Sequence, residues 1–250
     1  MSILASILAL IGVVLLGGLI VVIVDSYKQK NLIKILLAFS GGFLLAIAFG
    51  HFLPGLYASH TANIGLYVVL GFLIQLILEY FSGGIEHGHV HVHPGKAMPW
   101  MLFISLSIHS FIEGIPLTMS EEAQQLMHAG HNHGHDHGLS THSLLLGILF
   151  HQAPVAIALM TLLVNSAFSK MKAWFVLFLF ALMTPAGMLF GYFAHGSMSF
   201  INMDILLAIV VGMFLHISTT IIFEASENHR FNFVKLLSIL IGVGLALVIQ

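Results

Sequence analysis

Apolar runs of about twenty residues, parted by short polar stretches, recur along the whole chain. A helix needs about 20 apolar residues to cross a bilayer. Eight stretches meet that length, at roughly 3–24, 32–53, 64–81, 99–119, 143–164, 172–195, 203–223 and 233–250. The pattern predicts an all-α membrane protein of eight transmembrane helices, built as a single transmembrane domain over residues 1–250. The first run lacks a charged leading segment and is longer than a signal-peptide core, so it reads as a retained span.

The basic residues orient these spans. Lys28, Lys30 and Lys34 flank the first connection and Lys96 lies in the third. Lys170 and Lys172 mark the fifth, and Arg230 and Lys235 the seventh. All eight Lys and Arg residues thus sit at odd-numbered connections. The positive-inside rule makes these connections cytoplasmic and places both termini outside.

Composition agrees and narrows the chemistry. The chain is 58% hydrophobic and 7% charged, where a soluble domain carries about a quarter charged residues. A net charge of −2 gives no basic footprint for nucleic acid. The absence of cysteine excludes disulfides, Cys-ligated zinc, iron–sulfur clusters and thiol nucleophiles. Seventeen histidines are more than a membrane core needs, and histidine is the commonest metal ligand. Many fall in two His-rich loops, at 85–97 and 121–142. The first carries His87, His89, His91 and His93 on the cytoplasmic side. The second carries His131, His133, His135 and His137 outside, preceded by Glu121 and Glu122. Both are metal-binding compositions.

The spans themselves hold costly polar residues. In the fourth, His109 and Glu113 stand four residues apart, on one helix face. An acid at membrane depth costs about 2.5 kcal/mol or more, and a bound metal ion would justify it. The fifth span runs antiparallel to the fourth and carries His151-Gln152-Ala153-Pro154 near its midpoint. His109, Glu113 and His151 can then converge. Two imidazoles and a carboxylate suit a first-row divalent ion, with Ser110, Gln152 or water completing the shell. Pro116 and Pro154 free the carbonyls of Ile112 and Phe150 and bend their helices beside these ligands. His51 in the second span and His216 in the seventh extend a polar path, with Glu79 and Glu224 near the inner ends. Asp204, at the outer mouth of the seventh span, reads as solvated. Finally, Gly42-Phe43-Leu44 in the second span resembles Gly212-Met213-Phe214-Leu215 in the seventh. These helices run in opposite directions, as in a 3+2+3 arrangement with helices 1–3 and 6–8 as an inverted repeat around helices 4 and 5.

The pattern His109-Ser110-x-x-Glu113-Gly114 in the fourth span, with His151-Gln152 in the fifth, resembles the ZIP (Zrt/Irt-like) metal transporters. Ala38-Phe39-Ser40-Gly41-Gly42-Phe43 and His51-Phe52-Leu53-Pro54 are similar to that family too. The resemblance implies uptake of Zn²⁺, or of Fe²⁺, Mn²⁺ or Cd²⁺, toward the cytoplasm, through a site between helices 4 and 5. It also implies a homodimer. His109, Glu113 and His151 would be the primary ligands of the transported ion; no cofactor is expected. The chain departs from the family pattern at Val155, where many members place an acid or histidine, and at Gln152, where two-metal members place an acid. Thr184-Pro185 stands where some use a sixth-helix acid. One transport metal is therefore expected. The alternative is an intramembrane zinc-dependent hydrolase, but no His-Glu-x-x-His occurs and Glu113 would have to be spared as a base. Short loops and compact length point to a bacterial inner membrane.

Overall fold

The computed structural model describes residues 2–23, 26–59, 61–82, 100–118, 141–197, 202–224 and 233–249. The histidine tracts at 87–93 and 131–137, with Lys96, Glu121, Glu122 and Arg230, lie outside the described residues, as do the side chains of Lys28, Lys30 and Glu224. All described elements are helical: α1 (Ile3–Ile23), α2 (Ser26–Ile47), α3 (Leu53–Ala58), α4 (Ile64–Ser82), α5 (Trp100–Gly114), α6 (Thr141–Asn165), α7 (Lys170–Ala181), α8 (Met183–Ser197), α9 (Met203–Glu224) and α10 (Phe233–Ile249). A π turn, Ala48–Phe52, joins α2 to α3, and a 3₁₀ turn, Ile115–Thr118, ends the α5 run. Among the described residues, seven runs are long and apolar enough to cross a membrane: α1, α2–α3, α4, α5 with its 3₁₀ turn, α6, α7–α8 and α9. The expected eighth span, α10, is apolar but has 17 residues. It rises about 25 Å, somewhat less than the bilayer's hydrocarbon core of about 30 Å.

Prolines account for the departures from the expected boundaries. The second span does not stop before Pro54 but runs on to Ala58. The π turn absorbs the irregularity: Leu53 N–H bonds to Ala48 O, five residues back. Pro54 then opens a new helical segment, where its missing N–H costs nothing. In the sixth span, Pro185 would clash with the carbonyl of Ala181. The helix accordingly ends at Ala181 and restarts at Met183. Between them, Leu182 N–H is shared between Phe178 O (3.2 Å) and Leu179 O (3.3 Å). Pro116 falls in the 3₁₀ turn, whereas α6 continues through Pro154.

Burial orders the bundle. α6 is its centre, with 78% of its apolar stretch buried, against 33% for α1 and 28% for α4. The outward faces of α1 and α4 expose Leu4, Leu8, Leu66 and Val69, among others. That is the surface a lipid-facing helix requires. α4 turns only a narrow stripe inward, formed by Ile64, Gly71, Gln75, Leu78 and Ser82. Asp204, at the start of α9, is half-buried rather than solvated, and its Oδ2 accepts a 2.7 Å hydrogen bond from Thr61 Oγ1 in the α3–α4 connection.

Three helix pairs meet through one repeated contact. A Cβ on Gly42 of α2 would lie 2.4 Å from Ile239 O of α10, and one on Gly242 would lie 2.1 Å from Phe39 O. Gly71 of α4 and Gly212 of α9 stand in the same relation to Ile209 O (1.9 Å) and Val68 O (2.0 Å). So do Gly114 of α5 and Gly187 of α8, to Thr184 O (2.2 Å) and Phe111 O (1.9 Å). Each glycine faces the carbonyl three residues before its partner glycine. Only hydrogen in place of a side chain allows backbones this close, which permits Cα–H···O contacts and dense packing in an apolar solvent. α1 and α6 meet similarly, with Gly17 facing Ala153 O and Ala156 in the second glycine's place.

Candidate metal centre

The α5·α8 contact sets the depth of the first two ligand candidates. Gly114 gives α8 access to the α5 backbone, and Glu113 and His109 follow on the same helix, one and five residues earlier. Both are buried, as is His151 on the central helix α6. Among the described residues, these three form the one group of His, Cys, Asp or Glu side chains able to hold an ion. Their ligand atoms all lie within 4.8 Å of one another. Donors at 2.0–2.2 Å from a tetrahedral ion stand about 3.4 Å apart, so a modest inward movement closes the group.

The internal geometry also favours a cation. His109 Nε2 lies 3.0 Å from Glu113 Oε1, yet the two atoms are not aligned as a hydrogen bond. The His109 and His151 rings meet edge to face, with centroids 5.8 Å apart. Glu113 Oε2 has no hydrogen-bond partner among the described residues. A carboxylate oxygen buried without a protein partner is expensive, and a divalent ion would satisfy it.

The flanking candidates have distinct placements. Ser110 is buried, about 100° round the helix from His109. Gln152 Nε2 donates to Thr184 Oγ1, which leaves its carbonyl Oε1 as the atom it could offer an ion. The Thr184 backbone is the one that Gly114 meets, so a single point on α8 touches both ligand-bearing helices. Val155, one turn beyond His151, belongs to the apolar core. His51 and His216 stand outside the cluster. His51 is half-buried on the π turn, its ring edge-on to Phe52 with centroids 5.3 Å apart. His216 Nε2 bonds to Glu79 Oε2 of α4 and rests against Phe72 with centroids 4.7 Å apart. Sequence reasoning named both members of that pair without pairing them.

One residue escaped the sequence reading. Gln75 of α4 is fully buried, with its Oε1 2.8 Å from His109 Nδ1. The available signal was a glutamine amid an apolar span, one turn before Glu79.

Comparison with known proteins follows the same residues. Residues 83–250 match the family described as ZIP zinc transporter. Protein zntD of Dictyostelium discoideum is 26% identical over 182 residues, covering 67% of this chain and 24% of its own length. The chain thus spans about a quarter of the length of that curated relative. The family match takes in all three convergent side chains and every described helix from α5 to α10, and this chain belongs to the ZIP family of metal transporters.

Proposed function

We propose that the protein carries a divalent metal ion, zinc foremost, across the membrane toward the cytoplasm by alternating access, with His109, Glu113 and His151 as the transport site. The observation that carries this reading is their convergence from two helices into the buried interior of the bundle. The donor set of two imidazoles and a carboxylate suits zinc and its first-row neighbours. With Val155 in the apolar core and Gln152 held by Thr184, the site takes one ion at a time. Three protein ligands and a spread-out geometry favour an ion that leaves again. His51 lines the approach from outside and His216 with Glu79 the departure inward.

The glycine contacts support a 3+2+3 inverted repeat with α10 as the eighth span. Exchanging spans 1, 2 and 3 with 6, 7 and 8, and 4 with 5, turns the α2·α10 contact into the α9·α4 contact. It also turns α1·α6 into α8·α5. Both exchanges preserve the residue offsets. Under that exchange Gly42 and Gly212 take the same role, which supports reading their sequence resemblance as part of the repeat. The same contacts support alternating access. All three ligands stand on the α5·α8 and α1·α6 pairs, whereas Glu79 and His216 stand on α4·α9. Between α6 and α2 the approach at Gly147 is to the side chains of Ile47 and Leu44, not to backbone, which is the softer kind of boundary for one group to shift against another.

Uptake of radioactive zinc into proteoliposomes tests the reading. His109→Ala and Glu113→Ala should each abolish saturable uptake while the protein still purifies as a folded species. Normal uptake by both variants sinks the assignment.

A further inference from the structure

We infer that Gln75 is a positioning residue for metal capture: its side-chain oxygen accepts a hydrogen bond from His109 Nδ1 and so fixes Nε2 as the nitrogen offered to the ion. The inference rests on reading His109, Glu113 and His151 as the transport site.

Gln75 is anomalous on its own helix. α4 is the least buried of the long spans, yet Gln75 is fully buried on its narrow inward stripe. Gly71, one turn earlier, brings the α4 backbone against α9, and that close approach seats the next turn inside the bundle. There Gln75 Oε1 meets His109 Nδ1 at 2.8 Å. An amide oxygen has no proton to give, so the proton of this bond belongs to Nδ1. In a neutral imidazole the lone pair then lies on Nε2, the nitrogen 3.0 Å from Glu113 Oε1 and facing the ligand cluster. The reverse amide orientation would make Nδ1 the acceptor and put the ring proton on Nε2, where an ion would have to displace it. Metal-bound histidines ordinarily donate their second ring N–H to an oxygen, which fixes tautomer and ring orientation. Gln75 supplies that oxygen from a neutral side chain, adding no further charge to a site that already holds Glu113.

The test uses the full chain in lipid nanodiscs, with Co²⁺ as the probe, whose visible absorption reports coordination by protein ligands. Subtracting a titration of His109→Ala removes the signal of the other histidines. Gln75→Met keeps the volume and removes the acceptor; Gln75→Glu keeps an oxygen acceptor. Gln75→Met should weaken His109-dependent Co²⁺ binding by about 10–100-fold, whereas Gln75→Glu should stay within about threefold of the parent protein. Parental affinity in Gln75→Met overturns the inference. Equal losses in both variants overturn it too, since that is what a purely packing role gives. Should Gln75→Met fail to fold, the Glu variant decides: retained binding supports the acceptor role and a tenfold loss refutes it. Absence of any His109-dependent signal in the parent protein instead removes the transport-site reading, and the inference with it.

Discussion

Alanine at Gly71 and alanine at Gly12 should change stability in opposite directions, although both are glycines in apolar spans. A Cβ at Gly71 would sit 1.9 Å from Ile209 O, 2.6 Å from its carbonyl carbon and 2.7 Å from its Cα. An ordinary carbon–oxygen contact is about 3.3 Å, so α4 must move off α9 by about 1.4 Å. No rotamer can relieve this, because the obstructing atoms are backbone. Overpacking of this kind costs about 1–3 kcal/mol. The shift also strains the hydrogen bonds that α4 makes through Gln75 and Glu79, each worth about 0.5–1.5 kcal/mol or more. Against these stands a helix-propensity gain of about 1 kcal/mol for replacing glycine, leaving a net loss of about 3 kcal/mol. At about 2–4 °C per kcal/mol for a chain of this size, Gly71→Ala should lower the unfolding midpoint by about 6–12 °C. A Cβ at Gly12 meets nothing within 4 Å, so Gly12→Ala keeps the propensity gain and should leave the midpoint unchanged or raise it by a few degrees. Thermal unfolding of the purified protein, followed by loss of the monodisperse species, measures both. A Gly71→Ala midpoint at or above the parent's refutes the backbone contact. An equal fall in Gly12→Ala shows that glycine is needed for some reason other than close approach.

Three further outcomes follow from particular contacts. Thr184→Val removes the acceptor of Gln152 Nε2 and leaves a buried amide unsatisfied, so stability should fall by about 1–3 kcal/mol while Thr184→Ser keeps it; chemical denaturation distinguishes the two, and equal stability of both refutes the bond. Glu79 and His216 should couple by about 0.5–3 kcal/mol in a double-mutant cycle of Glu79→Gln and His216→Ala, whereas strict additivity would show that the pair does not interact. The chain contains no cysteine, so single cysteines report sidedness directly. Ala62→Cys, between α3 and α4, should react with an impermeant maleimide from outside intact cells, and Ala167→Cys, between α6 and α7, only after permeabilisation; the reverse result overturns the orientation drawn from the basic residues.

What the sequence made legible follows from the cost of each feature in lipid. Long apolar runs are forced by bilayer thickness, so the spans could be read directly, down to the 17-residue α10. His109, Glu113 and His151 were legible because ionisable groups at membrane depth need partners, and the i,i+4 spacing with one antiparallel crossing brought them together. Proline positions were legible but not their outcomes. Pro54 starts a helical segment behind a π turn, Pro185 divides a span, and Pro154 leaves α6 continuous. Gln75 was hidden because its partner is 34 residues away on another helix, and a neutral amide raises no alarm comparable to that of a charge. The glycine contacts were hidden for the same reason. Spacing along one helix does not say which carbonyl on another helix lies opposite.

Two residues that the sequence reading passed over, Gly71 and Gln75, share one helix face with Glu79, which it named. Gly71, Gln75 and Glu79 follow one another at intervals of four on α4, so they form a single column. The first meets the α9 backbone, the second His109 of α5 and the third His216 of α9. This helix with little buried surface thus carries three polar or backbone contacts in one column, beside the apolar contacts that Ile64, Tyr67 and Val68 make with the core. Two of them end on histidines of the proposed route. A helix is stiff along its axis, with four residues rising about 6 Å, so a displacement at Gly71 reaches both histidines. A change confined to the Gln75 or Glu79 side chain reaches one. That difference separates the scaffold role of α4 from its part in metal binding. Stability responds to all three positions, but only loss of the oxygen at Gln75 should alter His109-dependent metal affinity without first moving the helix.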